Sequence, residues 1–330
     1  LALEVTLTEG ANISPDPARV MDYSHPQKFT VTSEDGNWHK EYSVIIDTFD
    51  LPLRYDFEHY ELNETEKYQV FFEETQGTAL FKQYIWASGN SGFALTGVGR
   101  NPQEYPTVSI ENGIDGSRAI KLETKSTGQF GETVKMPIAA GNLFLGSFDV
   151  NNAVQKPLKA TRFGLPFGKK PLQLKGYYKY TPGTQPFKAK DKNGNTVTIP
   201  GQEDEGDIYA VLYEAAELDG KALDGNNVLT SEYIVALARV EVEKKDEFTA
   251  FHVDFHYGSR IPIDWPKFIQ DQRDPSDDGT GEYLPFKEEK MKNYEYNLAV
   301  VFTSSKYGAY FAGSVGSTLC IDKVEIVCEK

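Results

Sequence analysis

Apolar side chains recur at every second position in segment after segment of this chain, the period of a strand with one buried face. The pattern is clearest in "RAIKLETK", "NLFLGSFDV", "LQLKGYYKYTPG", "DIYAVLYEAAE", "SEYIVALARVEVE", "FTAFHVDFHY", "NYEYNLAVVFTSSK" and "STLCIDKVEIVCEK". In "LQLKGYYKY", Leu172, Leu174, Tyr178 and Tyr180 form the apolar set, and Gln173, Lys175, Tyr177 and Lys179 fall on the other face. Gly and Pro turns separate the segments, with no helices between them. Such a series predicts an antiparallel sandwich with one face of each sheet buried, and a jelly roll is the natural architecture.

The first part of the chain reads differently. "LEVTLTEGANISPDP" and "QKFTVTSEDGNWHKEYSVIID" hold short alternating runs, a Pro-rich turn at Pro15 to Pro17 and a hairpin signal at Asp35-Gly36. They predict a small immunoglobulin-like β-sandwich over residues 1–48, followed by the large jelly-roll β-sandwich over 49–330. A complete sandwich of the first kind usually needs about 100 residues, which leaves room for strands ahead of Leu1. The expected fold class is all-β. Three segments read as loops: "KAKDKNGNTVTIPGQEDEGD", a hairpin excursion about Asn193-Gly194; "ELDGKALDGNNVLTS", with Asp219-Gly220 and Asp224-Gly225; and "DWPKFIQDQRDPSDDGTGEYLPF". The last is long and irregular, the kind of segment that covers or borders a site.

One strand carries a conspicuous polar face. In "FTAFHVDFHYGSR", Phe251, Val253, Phe255 and Tyr257 share one side, and His252, Asp254 and His256 share the other. Neighbours in that row stand about 6.5–7 Å apart, close enough for two to share a metal ion but not to supply a third ligand. The row reads either as a metal or catalytic site or as the wet face of a half-buried strand, the default for such alternation.

Composition narrows the function. The chain has 330 residues, 25% charged and 39% hydrophobic, with 19 Tyr and 20 Phe, which favours strands and a sizeable core. A formal net charge of -15 argues against nucleic acid or anionic membrane as a partner, because phosphate binding needs clustered Lys and Arg. No run of about 20 apolar residues occurs, so no transmembrane segment is expected, and "LALEVTLTEG" has no basic segment followed by an apolar one. The two cysteines, Cys320 and Cys328, would lie roughly 26 Å apart on one strand, far beyond the roughly 4.4–6.8 Å of a disulfide.

Catalytic signatures are mostly missing: no Gly-rich phosphate loop, no His-Glu-x-x-His, no Gly-x-Ser-x-Gly and no Cys/His zinc spacing occurs. Carbohydrate chemistry remains open. Glu123 in "KLETK" and Glu214 in "LYEAAE" lie on strands, but glycoside hydrolysis needs two carboxyl groups facing one another. Aromatic platforms flanked by polar groups suit neutral sugars instead. Trp86 and Asn90 in "YIWASGNSGF" form the best local set. Tyr177, Lys179, Tyr209 and Tyr213 could add to one face, and Arg162 and Arg239 could donate bidentate hydrogen bonds. Taken singly, each of these residues is as readily a packing residue.

The runs "SRAIKLETK", "AAGNLFLGSFD", "RFGLPFGKKPLQLKGYYKYTPG", "GDIYAVLYE" and "VFTSSKYGAYFAGSVGSTLCIDKVEIV" together resemble the putative carbohydrate metabolism domain family, over about residues 50 to 330. Through "ISPDP" and "FTVTSEDGNWHKEYSVII", the first 48 residues resemble the immunoglobulin-like module often placed before such domains in exported bacterial proteins. The resemblance implies a jelly roll similar to carbohydrate-binding modules and glycoside hydrolase sandwiches. It also implies a cell-envelope protein, either an outer-membrane lipoprotein with its lipid anchor upstream of Leu1 or a secreted or periplasmic protein. It draws attention to Trp86, Asn90, Glu123, Arg162, Tyr177 and Lys179, and does not demand His252, Asp254 or His256. No cofactor is implied beyond a structural calcium ion where Glu58 approaches Asp322, as in related sandwiches.

The expected function is therefore binding of a poly- or oligosaccharide in a jelly-roll pocket, by Trp86, Asn90, Glu123, Arg162, Tyr177, Lys179, Tyr213 and Arg239, with no catalytic residue assigned. The alternative is a glycoside hydrolase or lyase using a carboxylate pair that includes Glu123. A third reading is an adhesive or spacer module of the envelope.

Overall fold

The computed structural model describes residues 5–20, 27–44, 50–75, 81–218, 221–273 and 279–330. The Asp219-Gly220 pair and part of the long irregular loop fall outside them. Chain contacts divide the molecule into two compact units, Leu1–Asp50 and Leu51–Lys330.

In the first unit, strands Asn12–Ser14, Gln27–Thr32 and His39–Val44 form an antiparallel sheet in sequence order. The hairpin at Asp35-Gly36 is present. Gly36 takes φ 69°, a left-handed conformation that costs glycine little, and the Asp35 carboxylate accepts from Ser33 Oγ at 2.6 Å and from the Asn37 N–H at 3.1 Å.

The second unit is built from two large antiparallel sheets. In the first, Thr107–Ile110, Ala119–Glu123, Thr318–Cys328, Pro171–Thr181 and Lys245–Asp254 lie side by side in that order, and Arg54–Tyr55 adds to Thr318–Cys328. In the second the order is Thr161–Phe163, Asn142–Phe148, Tyr296–Thr303, Asp207–Glu214, Ile234–Val240 and His256–Tyr257. All of the alternating segments picked out above form strands. Ile120, Leu122, Leu174, Tyr178 and Ile321 of the first sheet meet Leu143, Leu145, Ile208, Leu212 and Phe302 of the second in one core. Each such side chain contributes about 1.5–3 kcal/mol by leaving water.

The alternation in "LQLKGYYKY" holds for Leu174, Tyr178 and Tyr180, which are in the core, but Leu172 is 39% exposed. The reason is local: pairing with Thr318–Cys328 slips between Pro171 and Gln173, and the extra residue is left out of the ladder. Gly176 sits where the Phe251 ring crosses the strand, and an added Cβ would lie 2.9 Å from that ring. No larger side chain fits there without displacing Phe251.

"FTAFHVDFHY" changes sheets partway along. Lys245–Asp254 belongs to the first sheet, and His256–Tyr257 pairs with Ile234–Val240 in the second. Phe251 and Phe255 are buried, and Val253 and Tyr257 pack against the core. Cys320 and Cys328 are both unpaired thiols on the last strand.

The outer face of the second sheet is not solvated. Tyr209, Val211, Tyr213, Leu237 and Val301 form a second apolar cluster with residues of the covering loops, among them Leu223, Val228 and Tyr283. Both phases of "DIYAVLY" are apolar, so Asp207–Glu214 is buried at every position. A cavity lies on this covered face.

Candidate functional site

Two cross-strand rows make the cavity floor. Asn142, Thr303 and Asp207 are register partners in the first, and Phe144, Val301, Tyr209 and Arg239 in the second. Paired residues point to the same face of a sheet, so these side chains converge on one spot. The cavity above them measures ≈ 190 Å³. Its walls come from the segments around Phe93, Phe130, Ala153, Val228, Trp265 and Tyr310.

Asp207 and Arg239 are the charged centre of the floor. Arg239 Nε and Nη2 donate to the two Asp207 oxygens at 3.0 and 2.6 Å, a bidentate fork. Asp207 is 3% exposed, and a buried carboxylate persists only when paired in this way. Burial works against the charge on Arg239, but the Asp207 carboxylate outweighs it and holds the guanidinium even more firmly protonated than usual. Burial first, and then the Asp207 charge, push the Tyr209 phenol upward, so it stays a neutral hydrogen-bonding group. The fork uses one site on each carboxylate oxygen, which leaves further lone pairs for a ligand hydroxyl.

The part of the wall that holds Trp265, Arg273 and Tyr310 is aromatic and cationic. Arg273 stacks on the Trp265 ring at 4.1 Å and donates to the Tyr310 hydroxyl at 2.7 Å. The buried Trp265 indole N–H has no hydrogen-bond partner among the described residues. An unmet donor of this kind is costly unless a ligand or water takes it up.

A buried polar network fixes the segment that carries Tyr310. The Asp204 carboxylate accepts from Ser305 Oγ at 2.6 Å, Ser317 Oγ at 2.7 Å and the Ser314 N–H at 2.8 Å. Ser305 Oγ also lies 2.6 Å from Thr124 Oγ1. Burial raises the Asp204 pKa to about 6 despite these donors. Gly313 is required here, since an added Cβ would stand 2.5 Å from Ser305 Oγ and 2.9 Å from Asp204 Oδ2.

Of the eight residues expected from the sequence to bind carbohydrate, Arg239 alone lines this cavity. Trp86 is 4% exposed and belongs to the core between the sheets, packed against Tyr55 and Phe57, with its indole N–H on Glu73 at 2.8 Å. It offers no face to a sugar. Asn90 is wholly buried and ties two backbones together, donating to the Thr107 carbonyl at 2.8 Å and accepting the Thr107 N–H at 3.1 Å. Tyr213 is also buried, its hydroxyl donating to the Phe163 carbonyl at 2.6 Å. Arg162 reaches Asp149 at 2.9 Å, while its strand neighbours Thr161 and Phe163 line the cavity.

Glu123, Tyr177 and Lys179 lie on the other sheet, on its outer face. Glu123 sits between Lys121 at 3.0 Å and Lys125 at 2.6 Å. Burial acts to raise its pKa, but the two lysines outweigh this and hold it below the usual carboxylate range, which is the wrong direction for a general acid. Lys179 lies over the Phe248 ring at 5.0 Å. His252 and Asp254 share that exposed face, opposite Lys175 and Gln173, whereas His256 belongs to the second sheet. The row is therefore split between sheets. No group of three or more His, Cys, Asp or Glu suited to a metal ion occurs among the described residues. Of the two carboxylates named for calcium, Glu58 accepts the Arg118 N–H at 3.0 Å, and Asp322 accepts the Ile114 N–H at 2.7 Å and Ser117 Oγ at 2.9 Å.

The residues that sequence reasoning missed had one usable signal. A strand apolar in both phases is buried on both faces, so an Asp at its start has to be paired, and Arg239 stands on the adjacent strand. Trp265 and Arg273 had no signal beyond lying in the long irregular loop.

Two large antiparallel sheets packed about one core make this an all-β protein. The sequence profile of the putative carbohydrate metabolism domain matches residues 56–327, and that of the SGBP N-terminal domain matches residues 1–46. The chain belongs to the putative carbohydrate metabolism domain family. Among solved structures it is similar to a putative glycoside hydrolase from Bacteroides thetaiotaomicron, at 42% identity and TM-score 0.74, covering 98% of this chain and 85% of that one. A putative glycoside hydrolase from Bacteroides vulgatus is similar at 34% identity and TM-score 0.67, covering 86% of this chain and 100% of that one. A comparison with curated proteins finds no match.

Proposed function

We propose that the chain is a surface-glycan-binding protein of the cell envelope or extracellular space, with the carbohydrate held in the cavity over the second sheet. The observation that carries this reading is the Asp207–Arg239 fork at the base of an aromatic cavity whose wall holds the unpartnered Trp265 indole N–H. Sugar rings present apolar faces to aromatic side chains and hydroxyls to forked charged groups. The SGBP N-terminal match supports a surface location. No helix among the described residues is long and apolar enough to cross a membrane.

The names of the two solved relatives favour a second reading, glycoside hydrolysis in the same cavity. That chemistry needs two carboxyl groups, about 5–10 Å apart, flanking the bond to be cut. Asp207 is the one carboxylate among the described lining residues. Glu214 is at the far end of the same strand, roughly 23 Å away at about 3.3 Å per residue, and is paired with Lys290.

Calorimetric titration with xylan, pectic galactan, amylose and mucin glycans, together with a reducing-sugar assay, separates the readings. Binding without release of reducing ends is expected. Trp265→Ala, checked for an unchanged circular dichroism spectrum, is expected to lose at least about tenfold in affinity, about 1.4 kcal/mol. No heat with any glycan at millimolar sugar, or a variant that binds as the parent does, would overturn the proposal.

A further inference from the structure

Of the described aromatic residues that line the cavity, Phe130 alone is exposed, at 41%. Several of the others are already committed to one another. Phe144 and Phe163 meet edge to face at 4.9 Å, Phe93 lies against Tyr105 at 5.5 Å, and Trp265 lies beside Tyr310 at 6.5 Å. Phe130 has no ring or cation against its face among the described residues. It lies in the short helix Gly128–Thr133, between the paired strands Lys125–Ser126 and Ile138–Ala139.

The backbone around this ring is tied. Thr127 Oγ1 donates to the Met136 carbonyl at 2.5 Å, and the Met136 N–H donates to the Gly131 carbonyl at 2.6 Å. Gly131 makes room for the first of these bonds, since a Cβ there would lie 1.9 Å from Thr127 Oγ1. The exposure of Phe130 is thus set by a closed turn, not by a fraying end. Leu95 and Val98 are exposed beside it. They follow the helix Asn90–Ala94, whose Gly92 and Phe93 line the cavity, and Val98 Cγ2 stands 3.0 Å from the point that a Cβ on Gly128 would take. Large apolar side chains left in water next to a binding cavity mark a contact surface for what binds there.

Resting on the glycan reading above, we infer that Phe130 is a further sugar-stacking residue, which takes the unit next to the one held over Asp207 and Arg239. A glycan chain whose one unit sits in the cavity carries its neighbour along the lining. An open aromatic ring offers that neighbour a surface for the apolar face of its pyranose, with Leu95 and Val98 extending the apolar border. Phe130 then adds affinity for chains of two or more units and none for a single sugar.

The test uses the full chain and xylo-, galacto- and malto-oligosaccharides and released mucin glycans, each from one to six units, in calorimetric titrations. The parent is expected to bind two or more units more tightly than the shortest sugar that binds. Phe130→Ala is expected to lose about fivefold in affinity for the longer chains, the scale of one aromatic stacking contact, and to bind the shortest sugar as the parent does. Phe130→Leu, which keeps the apolar surface without the ring, is expected to behave like Phe130→Ala, and Phe130→Trp to keep the affinity for longer chains. Thermal melting of each variant checks that the fold is retained. Equal affinities of parent and Phe130→Ala at every length, or a loss in Phe130→Ala that is the same for the shortest sugar as for the longest, would overturn the inference while leaving the glycan reading in place. Failure of the parent to bind any sugar of any length would overturn both.

Discussion

Glu73 links the solution pH to the core between the sheets. Its carboxylate accepts the Trp86 indole N–H at 2.8 Å, and Trp86 packs on Tyr55, Phe57 and Phe302. Burial raises the Glu73 pKa from 4.5 to about 7; the Trp86 hydrogen bond opposes the shift and the Asp56 charge adds to it. A group whose folded pKa exceeds its unfolded value binds its proton more tightly when folded. Its stabilising contribution is thus complete below about pH 4.5 and is lost as pH rises through about 7. The gap between the two values corresponds to about 3 kcal/mol, and partial exposure reduces this to about 2 kcal/mol. At about 2–4 °C per kcal/mol for a domain of this size, the group lowers Tm by about 4–8 °C between pH 5 and pH 8. Glu73→Gln removes the charge and keeps an acceptor for Trp86. It also sets an amide across the ladder from Gln83, whose Oε1 has no partner among the described residues. Scanning calorimetry of both proteins is expected to show coincident melting at pH 5, with the variant about 4–8 °C higher at pH 8. Equal pH profiles for the two, or a variant less stable at pH 8, would refute the reasoning.

Two further outcomes are expected. Asp204→Ala strands Ser305, Ser314 and Ser317 in a buried network and is expected to cost about 3–5 kcal/mol in urea unfolding; a loss below about 1 kcal/mol would show that the network is dispensable. His252→Ala and Asp254→Ala alter exposed positions and are expected to stay within about 0.5 kcal/mol of the parent, with glycan binding unchanged. Weakened binding in either variant would move the site to the first sheet.

The strands were legible because alternation survives even where the chain passes from one sheet to the other at Phe255. What alternation does not reveal is which sheet a strand joins. Tyr177 and Tyr209 carry the same pattern, yet they stand on the outer faces of opposite sheets, and only Tyr209 meets the cavity. Trp86 misled for a related reason: its polar neighbours in "WASGN" mark the start of the short helix Asn90–Ala94, not a wet surface. The polar partners of Trp86 and Asn90, namely Glu73 and Thr107, are distant in sequence, so their burial left no local trace. Arg239 could be read because a lone cation in "IVALARV" requires a partner; that the partner is Asp207 depends on register.

The strand Asp207–Glu214 has no solvated side, and this limits how the protein can change. Tyr209 and Val211 pack under the covering loops and Ile208 and Leu212 in the core between the sheets, so the strand offers no position where a change avoids a packed layer. A substitution anywhere along Asp207–Glu214 is accordingly expected to cost stability, whereas an exposed rim position such as Asn226 leaves room for change.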